Sequence, residues 1–210
     1  MDLCGIPTPR IGLTWLSRPT TPLWKAMLKA AQARFEVGDF EALPFGSHAF
    51  DVAIACNALQ FVNDRQAALT EARRVLRPGG RLVVGMWVEP ERNQLRIFMK
   101  AIQDLMPSSA SSGNEPPSLS TLEVLLSTIE SGGFRVESQR EVECVSTYSN
   151  ADDAWKAFRS AGLMVQVAQA IENDKFEAAV RDAIEQVRAP DGSISVSNWF
   201  RYVVATGLDG

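Results

Sequence analysis

Apolar residues recur along this chain at two different periods, and the switches between them predict alternating strands and helices. Val52-Ala53-Ile54-Ala55-Cys56 is apolar almost throughout, which predicts a strand near the centre of a sheet with both faces covered. Beyond it Ala67, Ala68, Leu69, Ala72, Val75 and Leu76 fall at helical spacing, with Arg65, Glu71, Arg73 and Arg74 on the water side and Asp64 in the capping place. Pro78-Gly79-Gly80 predicts the stop of that helix, and residues 81–88 form the next apolar strand. Strand, helix and strand in this order make a parallel crossover.

The same reading extends to both sides. Residues 10–16 and 35–37 read as short strands, separated by a helix that Thr21-Pro22 opens and that runs to about Arg34. Residues 92–106 are helical by spacing, and residues 107–118, rich in Pro, Ser and Gly, read as a flexible surface loop. Ser120-Thr121-Leu122-Glu123 has the form of a capping box for a helix that ends at Gly132-Gly133. Residues 134–143 alternate as a half-buried strand, and residues 193–206 supply the last strand. Between them, residues 150–190 read as a helical insertion over the substrate side of the sheet, with breaks at Asn150 and Asn173-Asp174. The expected organisation is a single domain over residues 1–210.

Composition narrows the function classes. A net charge of −4 and a pI near 5.2 give no basic footprint for nucleic acid, so small neutral or cationic partners suit the chain better. No apolar run is long enough to span a membrane, and the expected location is cytoplasmic. Cys4, Cys56 and Cys144 are odd in number and far apart, which fits neither a disulfide framework nor a metal pair. The one histidine, His48, lies in a turn before a strand.

Three blocks carry a resemblance. Glu36-Val37-Gly38-Asp39-Phe40-Glu41-Ala42-Leu43-Pro44-Phe45, then Phe50-Asp51-Val52-Ala53-Ile54-Ala55-Cys56-Asn57, then Arg73-Arg74-Val75-Leu76-Arg77-Pro78-Gly79-Gly80-Arg81-Leu82-Val83-Val84 occur in the order and spacing of one family. The succession resembles the class I S-adenosylmethionine-dependent methyltransferases, within the ubiquinone and menaquinone biosynthesis-like group. That resemblance implies an α/β, Rossmann-like sheet, mostly parallel with an antiparallel last strand and helices on both faces. It also implies S-adenosylmethionine as cofactor and a small molecule as methyl acceptor. By the resemblance, Asp39 accepts a hydrogen bond from the adenine amine and the backbone of Phe40 donates to a ring nitrogen. Asn57 and Gln60 fall beside the methionyl and methyl end, where a polar capping role is the alternative. No general base is evident.

The chain departs from the family at its start. The Asp-x-Gly-x-Gly loop that opens such enzymes has no counterpart, and Trp15 stands where the ribose-binding acid belongs. Indole donates one hydrogen bond and accepts none. Losing about three polar contacts at ~1–3 kcal/mol each removes roughly 3–9 kcal/mol, against about −8 kcal/mol for micromolar binding. Weak or absent cofactor binding is therefore expected. The family strand that normally pairs with Val52–Cys56 is also missing, leaving three expectations: residues 10–16 take its place, a second copy pairs at the exposed edge as a homodimer, or the chain is a truncated or frame-shifted version of a longer one. A catalytically inactive remnant, acting as a binding or dimerisation module, is the alternative to an active enzyme.

Overall fold

The computed structural model describes residues 11–14, 35–36, 38–105, 118–161, 164 and 172–208. Among these, Ile11–Thr14 (β1), Phe35–Glu36 (β2), Phe50–Cys56 (β3), Leu76–Trp87 (β4), Phe134–Tyr148 (β5) and Ile194–Gly207 (β6) form one six-stranded sheet ordered β2-β1-β3-β4-β6-β5. β1 runs parallel to β2 and to β3, and β3 runs parallel to β4. The side-chain pairs Glu137–Thr206, Glu141–Arg201 and Glu143–Ser197 run in opposite senses along β5 and β6, so the last pairing is antiparallel, as expected. This is the α/β, Rossmann-like sheet that the resemblance implied.

The place beside β3 where the family pattern has a strand is taken by residues of this chain, as the first of the three expectations had it: Ile11 and Gly12 stand opposite Val52 and Ala53, so β1 separates β2 from β3. β3 departs from expectation in another way. Its Ala55 is buried at 3% exposure whereas Ile54 is 46% exposed and Cys56 is exposed, so among the described residues the carboxyl end of the strand packs on one face only. A continuous apolar run cannot reveal this, because side chains alternate across a strand whatever their polarity.

Arg65–Val75 (α1) begins at Asp64, whose Oδ1 accepts from the N–H groups of Gln66 at 2.8 Å and Ala67 at 3.0 Å. It ends earlier than the Pro78-Gly79-Gly80 stop: Leu76 is already extended and opens β4. The residue before a proline is driven out of the helical region, so Arg77 is the last position a helix could reach. β4 then bulges, since Phe50 pairs with Leu76 while Val52 pairs with Arg81. Gly79, at φ +71°, lets the bulge turn.

Two compact units divide the chain, each with a core. The first comprises the chain up to Met86, Ser118–Glu141 and the stretch from Arg201. Its core joins Phe40, Ala55, Leu59, Leu69, Leu82 and Phe134 with Leu125 and Ile129 of Leu122–Ser131 (α3). α1 and α3 approach so closely that a Cβ on Gly132 would lie 2.6 Å from Leu69, which requires glycine there. The expected capping box is not formed: the α3 cap is Thr121, whose side chain makes no cap bond, and the Ser120 hydroxyl pairs with that of Ser118 at 2.8 Å. Arg201, only 3% exposed, donates from Nη2 to Glu141 at 2.6 Å and from Nη1 to the Ser120 carbonyl at 2.8 Å.

The second unit comprises Trp87–Pro117 and Val142–Phe200. Leu95–Gln103 (α2), Ala151–Ser160 (α4) and Asn173–Glu185 (α5) bury Phe98, Ile102, Trp155, Phe176, Val180 and Ile184 together, with Ile194 and Val196 of β6 in the same cluster. Asn150 does break the chain as expected, and does so as the α4 cap, accepting from the Asp153 N–H at 2.9 Å. The expected break at Asn173-Asp174 falls at the start of α5, which follows Glu172. A set of side-chain amides ties β6 to the chain after β4. Asn93, 5% exposed, donates to the Val88 and Glu89 carbonyls at 3.0 and 3.2 Å and accepts from the Trp199 N–H at 2.6 Å. Gln94 and Asn198 extend it, accepting from Ser197 N–H at 2.6 Å and Leu95 N–H at 2.9 Å. The expected helix over 22–34 and the loop expected at 107–118, apart from Ser118, lie outside the described residues.

Candidate functional site

Because β1, β2 and β3 are parallel, their carboxyl ends open on one edge of the first unit, where α/β sheets place ligands. Gly38 and Asp39 follow β2 there. Asp39 is exposed and folds its Oδ1 back onto the Glu41 N–H at 2.9 Å, while its carbonyl accepts from Ala42 at 3.1 Å. This is the local turn chemistry that aspartate favours. Among the described residues Oδ2 carries no bond. Phe40 turns inward, 8% exposed, and its ring belongs to the core. A cavity of about 40 Å³ lies beneath it, lined by Phe40, Leu43, Phe45, Ala53, Ala55 and Ala72. That volume is far below a nucleoside.

At the end of β3 the backbone enters the left-handed region at Asn57, φ +53°, whose N–H donates to the Gly85 carbonyl at 2.8 Å. Asparagine tolerates this conformation better than most residues. Its Oδ1 is buried and has no hydrogen-bond partner among the described residues. Leaving an acceptor so costs about 1–3 kcal/mol, which a ligand N–H or O–H placed there would recover. Gln60, exposed in the short helical turn Leu59–Phe61, donates from Nε2 to the Asn57 carbonyl at 3.3 Å. The structure thus brings Asn57 and Gln60 into contact.

Sequence reading missed what holds the Asp39 turn in place. Glu41 accepts from the N–H groups of Asn63 at 2.6 Å and Asp64 at 3.1 Å. Further on, Glu71 accepts from Leu43 N–H at 2.8 Å, and Arg74 donates to the Phe45 and Leu43 carbonyls at 2.8 and 3.1 Å. Glu71 and Arg74 also pair with each other at 2.7 Å. Both are half-buried rather than on the water side, a correction whose cause is the return of residues 43–45 over them. His48, φ +58°, adds a contact from Nδ1 to the Leu76 carbonyl at 3.0 Å. The spacing of Glu71 and Arg74 was the only signal available, and it reads as an ordinary surface pair.

The Arg74 hydrogen bond, aided by the Leu43 N–H, holds the Glu71 carboxyl below its ordinary value of 4.5 against an opposing effect of burial. A carboxyl depressed on folding stabilises fully above the unfolded value, and its contribution is lost as pH falls through the folded value. Glu71→Gln is therefore expected to flatten the acid limb of stability below about pH 4.5, where one such group contributes a slope of at most about 1.4 kcal/mol per pH unit. Urea denaturation across pH 3 to 7 measures it, and parallel acid limbs in variant and parent would refute the clamp.

Residues 16–84 match a family model described as "Methyltransferase domain". The chain is 30% identical over 147 residues to 27-O-demethylrifamycin SV methyltransferase of Amycolatopsis mediterranei, covering 70% of this chain and 50% of that protein. It is 34% identical over 98 residues to demethylmenaquinone methyltransferase of Renibacterium salmoninarum, covering 44% of this chain and 41% of that one. The chain thus spans half or less of these relatives' own length. In fold it is similar to the solved YcgJ protein of Bacillus subtilis, with a TM-score of 0.52, 17% identity, and coverage of 95% and 82% of the two chains.

Proposed function

We propose that this chain, which belongs to the class I S-adenosylmethionine-dependent methyltransferase family, binds S-adenosylmethionine weakly, by its purine end, and serves methyl transfer to a small-molecule acceptor. The observation that carries this reading is the buried Oδ1 of Asn57 at the carboxyl end of β3, unpartnered among the described residues. The residues present fit one end of that cofactor. Asp39 offers an exposed carboxylate for an exocyclic amine, the Phe40 backbone offers an N–H for a ring nitrogen, and Asn57 accepts a donor from the cofactor or the acceptor, steadied by Gln60. When bound, S-adenosylmethionine supplies a methyl group that is already activated, so the chain's task is positioning. The Glu71–Arg74 clamp serves that task by fixing the segment after Asp39. With three scattered cysteines and no disulfide pattern, we place the reaction in the cytoplasm.

A second reading is a non-catalytic remnant that binds without turning over. Calorimetry with S-adenosylmethionine and its demethylated product separates the two from a purely ancestral kinship. We expect dissociation constants in the high micromolar range, and about tenfold weaker binding in Asp39→Ala, equal to about 1.4 kcal/mol. No heat at millimolar ligand would remove cofactor binding altogether. Binding without methyl transfer to any offered acceptor would support the remnant.

A further inference from the structure

We propose that the part of β5 in the second unit, Val142–Tyr148, is a self-pairing edge that joins two copies of this chain through an antiparallel strand pair centred on Val145. Among the described residues β5 is the last strand of the sheet order, so one of its backbone edges faces away from β6. From Val142 to Thr147 every residue is exposed, with Val142 at 47% and Val145 at 53%. Natural edges are guarded by lysine, proline, bulges or inward charges. Val142-Glu143-Cys144-Val145-Ser146-Thr147-Tyr148 has no lysine or proline, and its one charge, Glu143, is turned to the Ser197 hydroxyl of β6. What remains is a β-branched and aromatic stretch, the composition that pairs best.

Charge and side-chain matching select a second copy and its register. A two-fold axis through Glu143 would set two carboxylates against each other, which is unfavourable. An axis through Val145 lays the whole segment against its own reverse. Val145 then meets Val145, Val142 meets Tyr148, Glu143 meets Thr147, and Cys144 meets Ser146. Apolar residues face apolar ones and no like charges meet. One strand pair buries less than a stable obligate interface, so the dimer is expected to be weak and to depend on concentration.

Sedimentation velocity of the full chain from about 5 to 500 µM tests this, with dimer expected to dominate at the upper end. Val145→Lys, which opposes two ammonium groups at the axis, is expected to cut the dimer fraction at least tenfold with an unchanged circular dichroism spectrum. The register has its own test in Val145→Cys, in a chain whose Cys4, Cys56 and Cys144 are serine. Two opposed thiols each lose a proton and an electron to diamide and form one S–S bond, giving a covalent dimer. The parent, with Cys144 opposite Ser146, should give at least fivefold less. A monomer at every concentration, a dimer indifferent to Val145→Lys, or no covalent dimer from Val145→Cys would overturn the proposal. None of these readouts depends on cofactor binding.

Discussion

Glu141→Leu lowers the stability of the folded chain by about 3 kcal/mol, and Arg201→Met lowers it by only about half as much. The asymmetry follows from where the two charges sit. The Arg201 side chain is 3% exposed and that of Glu141 is 26% exposed. Removing the carboxylate takes an opposite charge and two acceptor contacts, at 2.6 and 3.1 Å, from a guanidinium in the interior. Removing the guanidinium leaves a carboxylate that water can reach, and methionine restores part of the packing that the arginine stem provided. In a chain of this length a loss of 3 kcal/mol moves the melting midpoint by roughly 6–12 °C. Urea titrations of both variants read the difference directly. Equal losses would show that the pair acts through packing alone.

Asn93→Leu costs a similar amount, about 3 kcal/mol, for a different reason. The carboxamide is matched on both sides, its NH2 donating to the Val88 and Glu89 carbonyls and its oxygen accepting from the Trp199 N–H. Leucine keeps the volume and leaves these backbone groups of a buried junction without partners. Asn93→Asp is the sharper comparison. It keeps the acceptor for Trp199 and turns a second oxygen toward two carbonyls, so at neutral pH it should be less stable than Asn93→Ser. Lowering the pH protonates that oxygen into a donor, and the order should reverse. An aspartate variant as stable as the parent at pH 7 would mean that the carboxamide's donor side carries none of the stability.

The helix α1 and the strands beside it were legible because each is a local matter. Asp64 caps where a short acceptor side chain precedes a helical apolar stripe, and Ala68, Leu69, Ala72 and Val75 are buried where the stripe put them. The candidate site was legible in part. Asp39 and Asn57 were marked by family pattern, yet nothing in a pattern shows that the Asn57 oxygen is buried without a partner among the described residues. Three local readings failed where a distant segment intervened. Glu71 and Arg74 read as solvated because their partners, Leu43 and Phe45, lie about thirty positions away along the chain. The Ser120 capping box was displaced, and the Ser120 carbonyl is held by Arg201. Asn93 read as an unremarkable helical position, since its partners include Trp199 on β6.

By itself the sequence determined the class of fold, the parallel succession around α1 and the methyltransferase-like order of its motifs, because periodicity, caps and short motifs are set by neighbours within a few residues. Only the tertiary structure decided that Ile11–Thr14 closes the gap beside β3, that Ile54 is half exposed, and that a clamp of opposite charges holds the Asp39 turn. These depend on which remote segments meet. Hydrogen bonds and ion pairs form between groups that chain folding brings together, and their strength is set by burial that no single stretch of residues specifies.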